Sequence, residues 1–166
     1  MILVTVGTQL PFDRLVRAVD EIAPRLSRPV FAQTGYGQYQ PQNCAFAADV
    51  PPTQFDDLLR QASLIVGHAG IGSILMAQKM HKPLLVMPRQ AALGEHRNDH
   101  QLATARALEK RPGVHVAFNE DALQQRLLAA SPFSLPVDNS PQRIQLQKAL
   151  EHYFRHGSLS EHAEAE

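Results

Sequence analysis

The stretch "VGHAGIGSI" (residues 66–74) decides the fold, because it joins an apolar run to a helical pattern through closely spaced glycines. Gly67 and Gly72 have the spacing of the two glycines in the phosphate-binding P-loop pattern G-x-x-x-x-G-K-[ST]. Ser73 stands where that pattern requires its lysine. Because the lysine contacts the β- and γ-phosphates, its absence argues against hydrolysis of a nucleoside triphosphate.

The same stretch keeps a more general anion-binding pattern. An apolar strand is predicted to end at Val66, and a helix is predicted to begin between Gly70 and Ser73. The first N–H groups of a helix have no partner within the helix, so they suit an anion of diphosphate size. The alternative is that the glycines only make a tight turn between strand and helix. The local pattern leaves both interpretations open.

Short apolar runs alternate with helical patterns on both sides of this stretch. Strands that are apolar throughout and separated by helices indicate an α/β fold, a Rossmann-like open, mostly parallel sheet with helices on both faces. Ligands of such sheets bind at the carboxyl ends of the strands. The predicted strands cover residues 2–6, 29–34, 43–47, 63–67, 83–87 and 114–118. The segments that follow them include "GTQ" (7–9), "GYG" (35–37), "GHAG" (67–70) and "PRQ" (88–90).

Three of the predicted helices have recognisable limits. Thr53, with the acidic Asp56 three positions later, is predicted to cap a helix that continues to about residue 62. Asn119 is predicted to cap the helix "EDALQQRLLAA". The stretch "RNDHQLATARALEK" (97–110) is predicted to be helical throughout.

Composition sets the class of protein. The chain has 166 residues, with 16 basic and 16 acidic side chains and a net charge of zero, so we expect no nucleic-acid partner. Cys44 is the single cysteine, which rules out a disulfide within the chain and fits a reducing compartment. No apolar run reaches the ~20 residues of a membrane span. We therefore expect a cytoplasmic protein with a single domain (1–155) and a disordered tail (156–166).

Five segments form a combined pattern along the chain: "VTVGTQLPFDRLVRAVD" (4–20), "QTGYGQY" (33–39), "ASLIVGHAGIGSI" (62–74), "KPLLVMPR" (82–89) and "RNDHQLATA" (97–105). Together they resemble the C-terminal, donor-binding half of the family 28 glycosyltransferases of the GT-B class. The chain is similar to the free-standing small subunits of two-part transferases, both the soluble subunit of the dolichol-linked UDP-GlcNAc transferase and bacterial exopolysaccharide and capsule subunits. The resemblance runs in order from residue 1 to about residue 130.

The resemblance implies a UDP-sugar donor as substrate, with no cofactor and no metal. It places the uracil near the end of the fifth predicted strand, the donor sugar near the loop that opens the next helix, and the diphosphate against the glycine turns. His68 is then a candidate to stabilise the negative charge of the leaving UDP. The donor-binding residues that it implies are Gly7, Thr8, Gln9, His68, Gly70, Gly72, Ser73, Arg89, Asn98, Asp99, His100 and Gln101.

One position departs from the family pattern. Members often carry a ribose-binding glutamate three residues after the serine of the "GS" pair, and this chain has Met76 there. A thioether cannot accept the ribose hydroxyl hydrogen bonds in the way that a carboxylate does. Our hypothesis is that Glu95, in the loop before the next predicted helix, binds the ribose instead.

The resemblance also implies a partner. A GT-B enzyme reacts between two domains, and the other domain usually supplies the acceptor site and often the base, so we assign no catalytic base here. The expected partner is a membrane-associated subunit that presents a polyprenyl-diphosphate-linked saccharide and recruits this chain to the inner face of the cytoplasmic membrane. The last predicted helix, with Tyr153 and Phe154, is a candidate interface.

Some alternatives remain open on the sequence alone. The stretch "EHRNDH" (95–100) suggests a metal site, but it matches neither H-E-x-x-H nor H-x-x-E-H and has no evident third ligand. Arg89 and Arg97 are equally compatible with phosphate binding and with solvated arginines. The rival function is a UDP-sugar-binding module without catalysis, and an epimerase of similar fold is a third. The transferred sugar can be glucuronate, glucose, galactose or GlcNAc.

Overall fold

In a computed structural model of the chain, residues 1–129 and 133 are described. Apolar runs of three to five residues form the strands, and the amphipathic segments between them form helices. The strands are β1 (Ile2–Thr5), β2 (Val30–Gln33), β3 (Ala45–Ala47), β4 (Leu64–His68), β5 (Leu84–Met87) and β6 (Val114–Val116). The helices are α1 (Asp13–Asp20), α2 (Pro52–Gln61), α3 (Ile71–Lys79), α4 (His100–Leu108) and α5 (Glu120–Leu128).

All neighbouring strands pair in parallel, in the order β3-β2-β1-β4-β5-β6. This confirms the predicted Rossmann-like open sheet. The strand order reverses between β1 and β4, where Thr5 is paired with Gly67. In open parallel sheets this reversal leaves a crevice at the carboxyl ends of the two strands, and ligands bind there.

Strands β1, β4 and β5 are buried on both faces, as their uniformly apolar sequences predict, whereas the edge strand β3 is largely exposed. Val4 and Val66 belong to the core on the face that α1 and α5 cover, with Leu15 and Leu123 from those helices. On the other face, Leu3, Ile65 and Val86 pack against α2, α3 and α4. Cys44, Met76 and Met80 are partly buried and pack against these two cores.

Two predicted helix limits differ from the structure. The prediction of Thr53 as an N-cap is wrong, because α2 begins at Pro52 with Pro51 in the cap position. Proline suits the first helical position, since its φ is already helical and its missing N–H would have no partner there. Helix α4 begins at His100 rather than at residue 97, which leaves Asn98 and Asp99 in the preceding turn.

The start of α5 agrees with the prediction. Asn119 caps α5 as predicted, and its side-chain oxygen accepts a hydrogen bond from the Ala122 N–H at 2.8 Å. The predicted tail (156–166) and the last predicted helix with Tyr153 and Phe154 lie outside the described residues.

Candidate functional site

Two turns meet at the reversal point of the sheet, one after β1 and one after β4. Gly7 follows β1 with a φ of +77°, a left-handed conformation that favours glycine. Gln33 supports this turn from below, because its Nε2 donates to the Gly7 carbonyl at 3.1 Å and its Oε1 accepts from the Thr5 hydroxyl at 2.7 Å. Beyond Gly7, the side chains of Thr8 and Gln9 are exposed. The turn at residues 7–9, which the resemblance assigns to a diphosphate, therefore exposes Thr8 and Gln9 to solvent while Gln33 fixes its backbone.

His68 ends β4 and lies between these two turns. A Cβ built on Gly7 would lie 2.9 Å from the His68 Nε2, and a Cβ built on Gly70 would overlap the same ring at its Cε1 and Nδ1 edge. Glycine at both positions is thus what allows the imidazole to occupy the space between them. Burial, and next the positive charge of Arg89, lower the pKa of His68 to about 4. The imidazole is therefore uncharged near neutral pH.

Helix α3 begins beside His68 without a side-chain cap. Gly70 occupies the cap position, and no side chain accepts a hydrogen bond from the first helical N–H groups there. Ile71 and Gly72 are exposed at this end, whereas Ser73 is 7% exposed. A Cβ built on Gly72 would meet nothing within 4 Å. The uncapped end combines free donors with the positive end of the helix dipole, which favours an anion.

Arg89 lies behind the turn after β1 rather than in solvent. Its side chain is 3% exposed, and its Nη2 donates to the carbonyl oxygens of Val6 at 2.9 Å and Leu10 at 2.6 Å. Its Cζ lies 4.9 Å from the centre of the Phe12 ring, while its Nε is buried without a hydrogen-bond partner in the described part of the chain. The structure thus places Arg89 where it fixes the backbone of residues 6–10.

Glu95 lies at the base of the loop between β5 and α4 and is engaged by a distant arginine. The Arg14 Nε donates to Glu95 Oε1 at 2.6 Å, and Arg14 Nη2 donates to Oε2 at 2.8 Å. The Gln90 N–H also donates to Oε2, at 2.9 Å. The two side chains of this ion pair are only 14% and 12% exposed. A ribose could use the Glu95 carboxylate only by sharing it with Arg14, so the ribose hypothesis stays a prediction.

The arginine of this pair connects three parts of the chain. Besides Glu95, Arg14 donates to the Pro88 carbonyl at 3.1 Å and to Glu120 Oε2 at 3.0 Å. Nothing in the sequence around Arg14 marks these partners, because they lie 74 to 106 positions further along the chain. The loop after β5, which the resemblance assigns to the donor sugar, is thereby tied to α1 and α5.

The four polar residues around the start of α4 have different roles. Asp99 accepts a hydrogen bond from the Ala91 N–H at 2.9 Å, so it closes the loop after β5. Asn98 accepts from the His100 N–H at 3.3 Å, and the His100 side chain is exposed. Gln101 is 8% exposed, and its Nε2 lies 3.2 Å from the His68 Nδ1. Of the four, Gln101 is the residue that the structure brings into contact with His68.

The "EHRNDH" stretch forms no metal centre with other parts of the described chain. Among residues 1–129 and 133, no group of three or more His, Cys, Asp and Glu side chains could hold a metal ion. The Nδ1 of His96 lies 3.1 Å from the Asn98 carbonyl oxygen. In the same part of the chain, no helix has both the length and the apolar character needed to cross a bilayer.

Exposed apolar side chains surround the turns. Most of the large apolar side chains that are exposed among the described residues follow the carboxyl end of a strand, and we call these four the apolar rim. They come from the loops after β1, β2 and β5 and from the first residue of α3. The apolar rim consists of Leu10 (38% exposed), Tyr36 (79%), Ile71 (63%) and Leu93 (56%).

Comparison with known proteins gives a family and a fold. Residues 1–152 match the model of the glycosyltransferase family 28 C-terminal domain. No curated protein sequence matches the chain closely enough to count as a relative.

Among solved structures, the chain is similar to the NMR structure of ALG13, with a TM-score of 0.58 and 20% identity over 87% of this chain and 93% of that one. The glycosyltransferase of kitacinnamycin has a TM-score of 0.58 at 21% identity over 79% of this chain, and the forosaminyltransferase SpnP has 0.54 at 22% over 79%. The chain spans about a third of those two proteins, 35% and 36% of their lengths. These likenesses show a shared fold.

Proposed function

Because this chain belongs to the glycosyltransferase family 28 C-terminal domain family, we propose that it is the donor-binding subunit of a UDP-sugar-dependent, inverting glycosyltransferase. The observation that carries the proposal is the meeting of three features at the reversal point of the sheet. These are the Gly7 turn, the His68 imidazole and the uncapped start of α3. Together they offer hydrogen-bond donors to an anion of diphosphate size.

In this proposal the diphosphate binds across the two turns. The N–H groups around Gly70, Gly72 and Ser73 and those of Thr8 and Gln9 donate to its oxygens, while the Gly7 N–H donates to the Thr5 hydroxyl at 3.3 Å. The turn after β1 is already held in place, because Gln33 and Arg89 bind its backbone carbonyls. Donors that are fixed before the ligand arrives stabilise charge more effectively than donors that must be ordered on binding.

The proposed reaction is direct displacement of UDP at the anomeric carbon by an acceptor hydroxyl, which inverts the configuration. Negative charge develops on the leaving diphosphate as the glycosidic bond breaks. The positive end of the α3 dipole and the His68 N–H would stabilise that charge in the transition state more than in the ground state. Because these groups supply the stabilisation without a metal ion, the proposal includes no cofactor. The UDP-sugar is the substrate of the proposed reaction.

The remaining donor contacts come from the loop after β5. We propose that the uracil lies beside the backbone at Pro88 and Arg89, and that the sugar lies near Asn98 and His100 at the start of α4. Of the two arginines in this region, Arg89 is buried and Arg97 is exposed. An anionic donor sugar such as glucuronate would therefore meet Arg97 rather than Arg89.

A second subunit completes the proposed enzyme. It would be membrane-associated, would present a polyprenyl-diphosphate-linked saccharide, and would supply the base, as in the assembly of bacterial surface polysaccharides. The apolar rim around the donor site supports this proposal, because exposed apolar side chains beside a ligand site are typical of surfaces that another protein covers. Docking there would hold the chain at the inner face of the cytoplasmic membrane.

A ligand panel tests the proposal. Thermal unfolding of the full chain is followed with UDP, GDP, dTDP and several UDP-sugars, and we expect selective stabilisation by the uridine nucleotides. His68→Asn should weaken this stabilisation. Arg60→Ala is the matched control, because Arg60 is exposed and lies in α2, which leads to the opposite end of β4. Absence of any shift with UDP would overturn the proposal.

Product formation then separates a transferase from a non-catalytic binding module. The chain is assayed with the stabilising UDP-sugar and a polyprenyl-diphosphate saccharide, with and without the candidate membrane subunit. We expect transfer only when both subunits are present. Stabilisation by a UDP-sugar without transfer in either case would favour the binding module.

A further inference from the structure

The orientation of the Gln101 side-chain amide is fixed by a backbone group. The Arg89 N–H lies 3.1 Å from the Gln101 Oε1 in a buried position. A backbone N–H can only donate, so the amide oxygen, and not the amide nitrogen, must face it. Arg89 lies two residues after the end of β5 at Met87, and its own side chain is anchored to the Val6 and Leu10 carbonyls.

The amide orientation in turn determines the protonation of His68. With its oxygen committed to Arg89, Gln101 presents its NH₂ group to the His68 Nδ1 at 3.2 Å. An NH₂ group only donates, so Nδ1 must accept with its lone pair. In an uncharged imidazole the proton then resides on Nε2. The sequence of contacts from Arg89 through Gln101 to His68 therefore selects one tautomer.

The protonated nitrogen faces the candidate diphosphate site. The His68 Nε2 is the ring atom nearest to Gly7, whereas Cε1 and Nδ1 lie towards Gly70. Resting on the proposed function, we propose that Gln101 is a positioning residue that holds His68 as its Nε2–H tautomer, so that His68 donates to a diphosphate oxygen. The opposite tautomer would present a lone pair to the anion and would repel it.

The charges around His68 favour the same state. Burial lowers the pKa of His68 most, and the positive charge of Arg89 and the nearby His96 lower it further. The imidazole is therefore uncharged near neutral pH. Loss of one hydrogen bond to a charged group corresponds to roughly a tenfold to hundredfold loss of affinity.

Two variants of Gln101 test the inference. Gln101→Glu replaces the donor with a carboxylate, which accepts from the Arg89 N–H and also from His68, so the proton should move to Nδ1. Gln101→Met keeps the volume and removes both hydrogen bonds, so the two tautomers should mix. The tautomer is read from ¹⁵N–¹H NMR spectra of the imidazoles in the full chain, with His68→Asn used to assign the His68 signal.

The expected results distinguish positioning from simple packing. At pH 8 we expect the wild-type chain to carry the proton on Nε2 and the Gln101→Glu chain to carry it on Nδ1, with UDP affinity reduced roughly tenfold to hundredfold. The pKa of His68 should also rise in Gln101→Glu. A wild-type proton on Nδ1, or an unchanged tautomer in Gln101→Glu, would overturn the inference. A wild-type chain that has the expected tautomer but does not bind UDP would instead overturn the proposed function.

Discussion

The candidate site has two walls, which are held in different ways. The first wall is segment 68–73, and the second wall is the loop after β5, residues 88–99. The turn after β4 (68–73) is fixed by close approach within a few residues, because the His68 ring occupies space that a side chain at Gly70 would fill. The loop after β5 (88–99) is fixed by an ion pair with a residue that is remote in sequence, since Arg14 and Glu95 are 81 positions apart in the chain. The first wall can therefore be recognised in a short sequence, and the second cannot.

The largest effect is expected from a methyl group placed in the first wall. Gly70→Ala would bring a Cβ into overlap with the His68 ring and would force the ring out of its place. Because His68 then loses both Gln101 and the ligand, we expect UDP affinity to fall roughly a hundredfold while the chain still folds. Isothermal titration with UDP measures the affinity, and circular dichroism checks the fold.

Gly72→Ala is the matched control for this variant. Nothing lies within 4 Å of a Cβ built on Gly72, and alanine favours a helix over glycine by about 1 kcal/mol. We expect an unchanged or slightly higher melting temperature and an unchanged His68 NMR signal. Equal displacement of His68 in both variants would contradict the close-approach account of the first wall.

The next effect is the pH dependence that His68 gives to the first wall. Burial lowers the pKa of His68 from 6.5 to about 4 in the folded chain. Between these values the unfolded chain binds a proton that the folded chain does not, so the free energy of unfolding falls as the pH falls. The stabilisation is complete above pH 6.5 and decreases by about 2–3 kcal/mol towards pH 4.

Urea unfolding of the wild type and of His68→Asn from pH 7 to pH 4 isolates this contribution. The difference between the two free energies of unfolding should change across that range in the direction just given. Parallel curves would mean that His68 titrates normally in the folded chain.

A smaller effect is expected when the second wall loses its ion pair. Glu95→Gln removes the carboxylate that binds Arg14 in a largely buried position, and we expect a loss of about 2 kcal/mol in the free energy of unfolding. Urea unfolding without ligand measures it. The ratio of UDP to 2′-deoxy-UDP affinities is measured in parallel, because it responds to ribose binding. An unchanged ratio would assign Glu95 to the loop alone, and a ratio that falls would support the ribose hypothesis.

The smallest effect is expected from the other partner of the same arginine. Glu120 also pairs with Arg14, at 3.0 Å, but its side chain is 42% exposed. Solvent screens such a pair, so Glu120→Gln should cost less than about 1 kcal/mol. Equal losses in Glu95→Gln and Glu120→Gln would show that burial does not distinguish the two pairs.

The order of strands and helices could be predicted because it depends on local patterns. Apolar runs, helical spacing and the glycines at residues 67–72 are all visible within a few positions. The prediction of Thr53 as a cap was wrong because two prolines set the helix start before it. The roles of Arg14 and Gln33 could not be predicted, because their partners become neighbours only when the sheet assembles. The prediction that Asn98 and Asp99 are helical was wrong, because the contacts that hold them before α4 form only in the folded loop. Their role in binding the donor stays a prediction.

The reversal of strand order has a consequence for how the molecule opens. Strands β1–β3 and strands β4–β6 form two halves that adjoin along a single ladder, between β1 and β4. The proposed diphosphate touches both halves, through the turn at residues 7–9 on one side and through Gly70 and His68 on the other. A bound nucleotide would then contact both halves of the sheet and stabilise the ladder between them. Its binding should slow hydrogen exchange most at the amides of β1 and β4. The two ends of the sheet, at β3 and β6, should exchange as before.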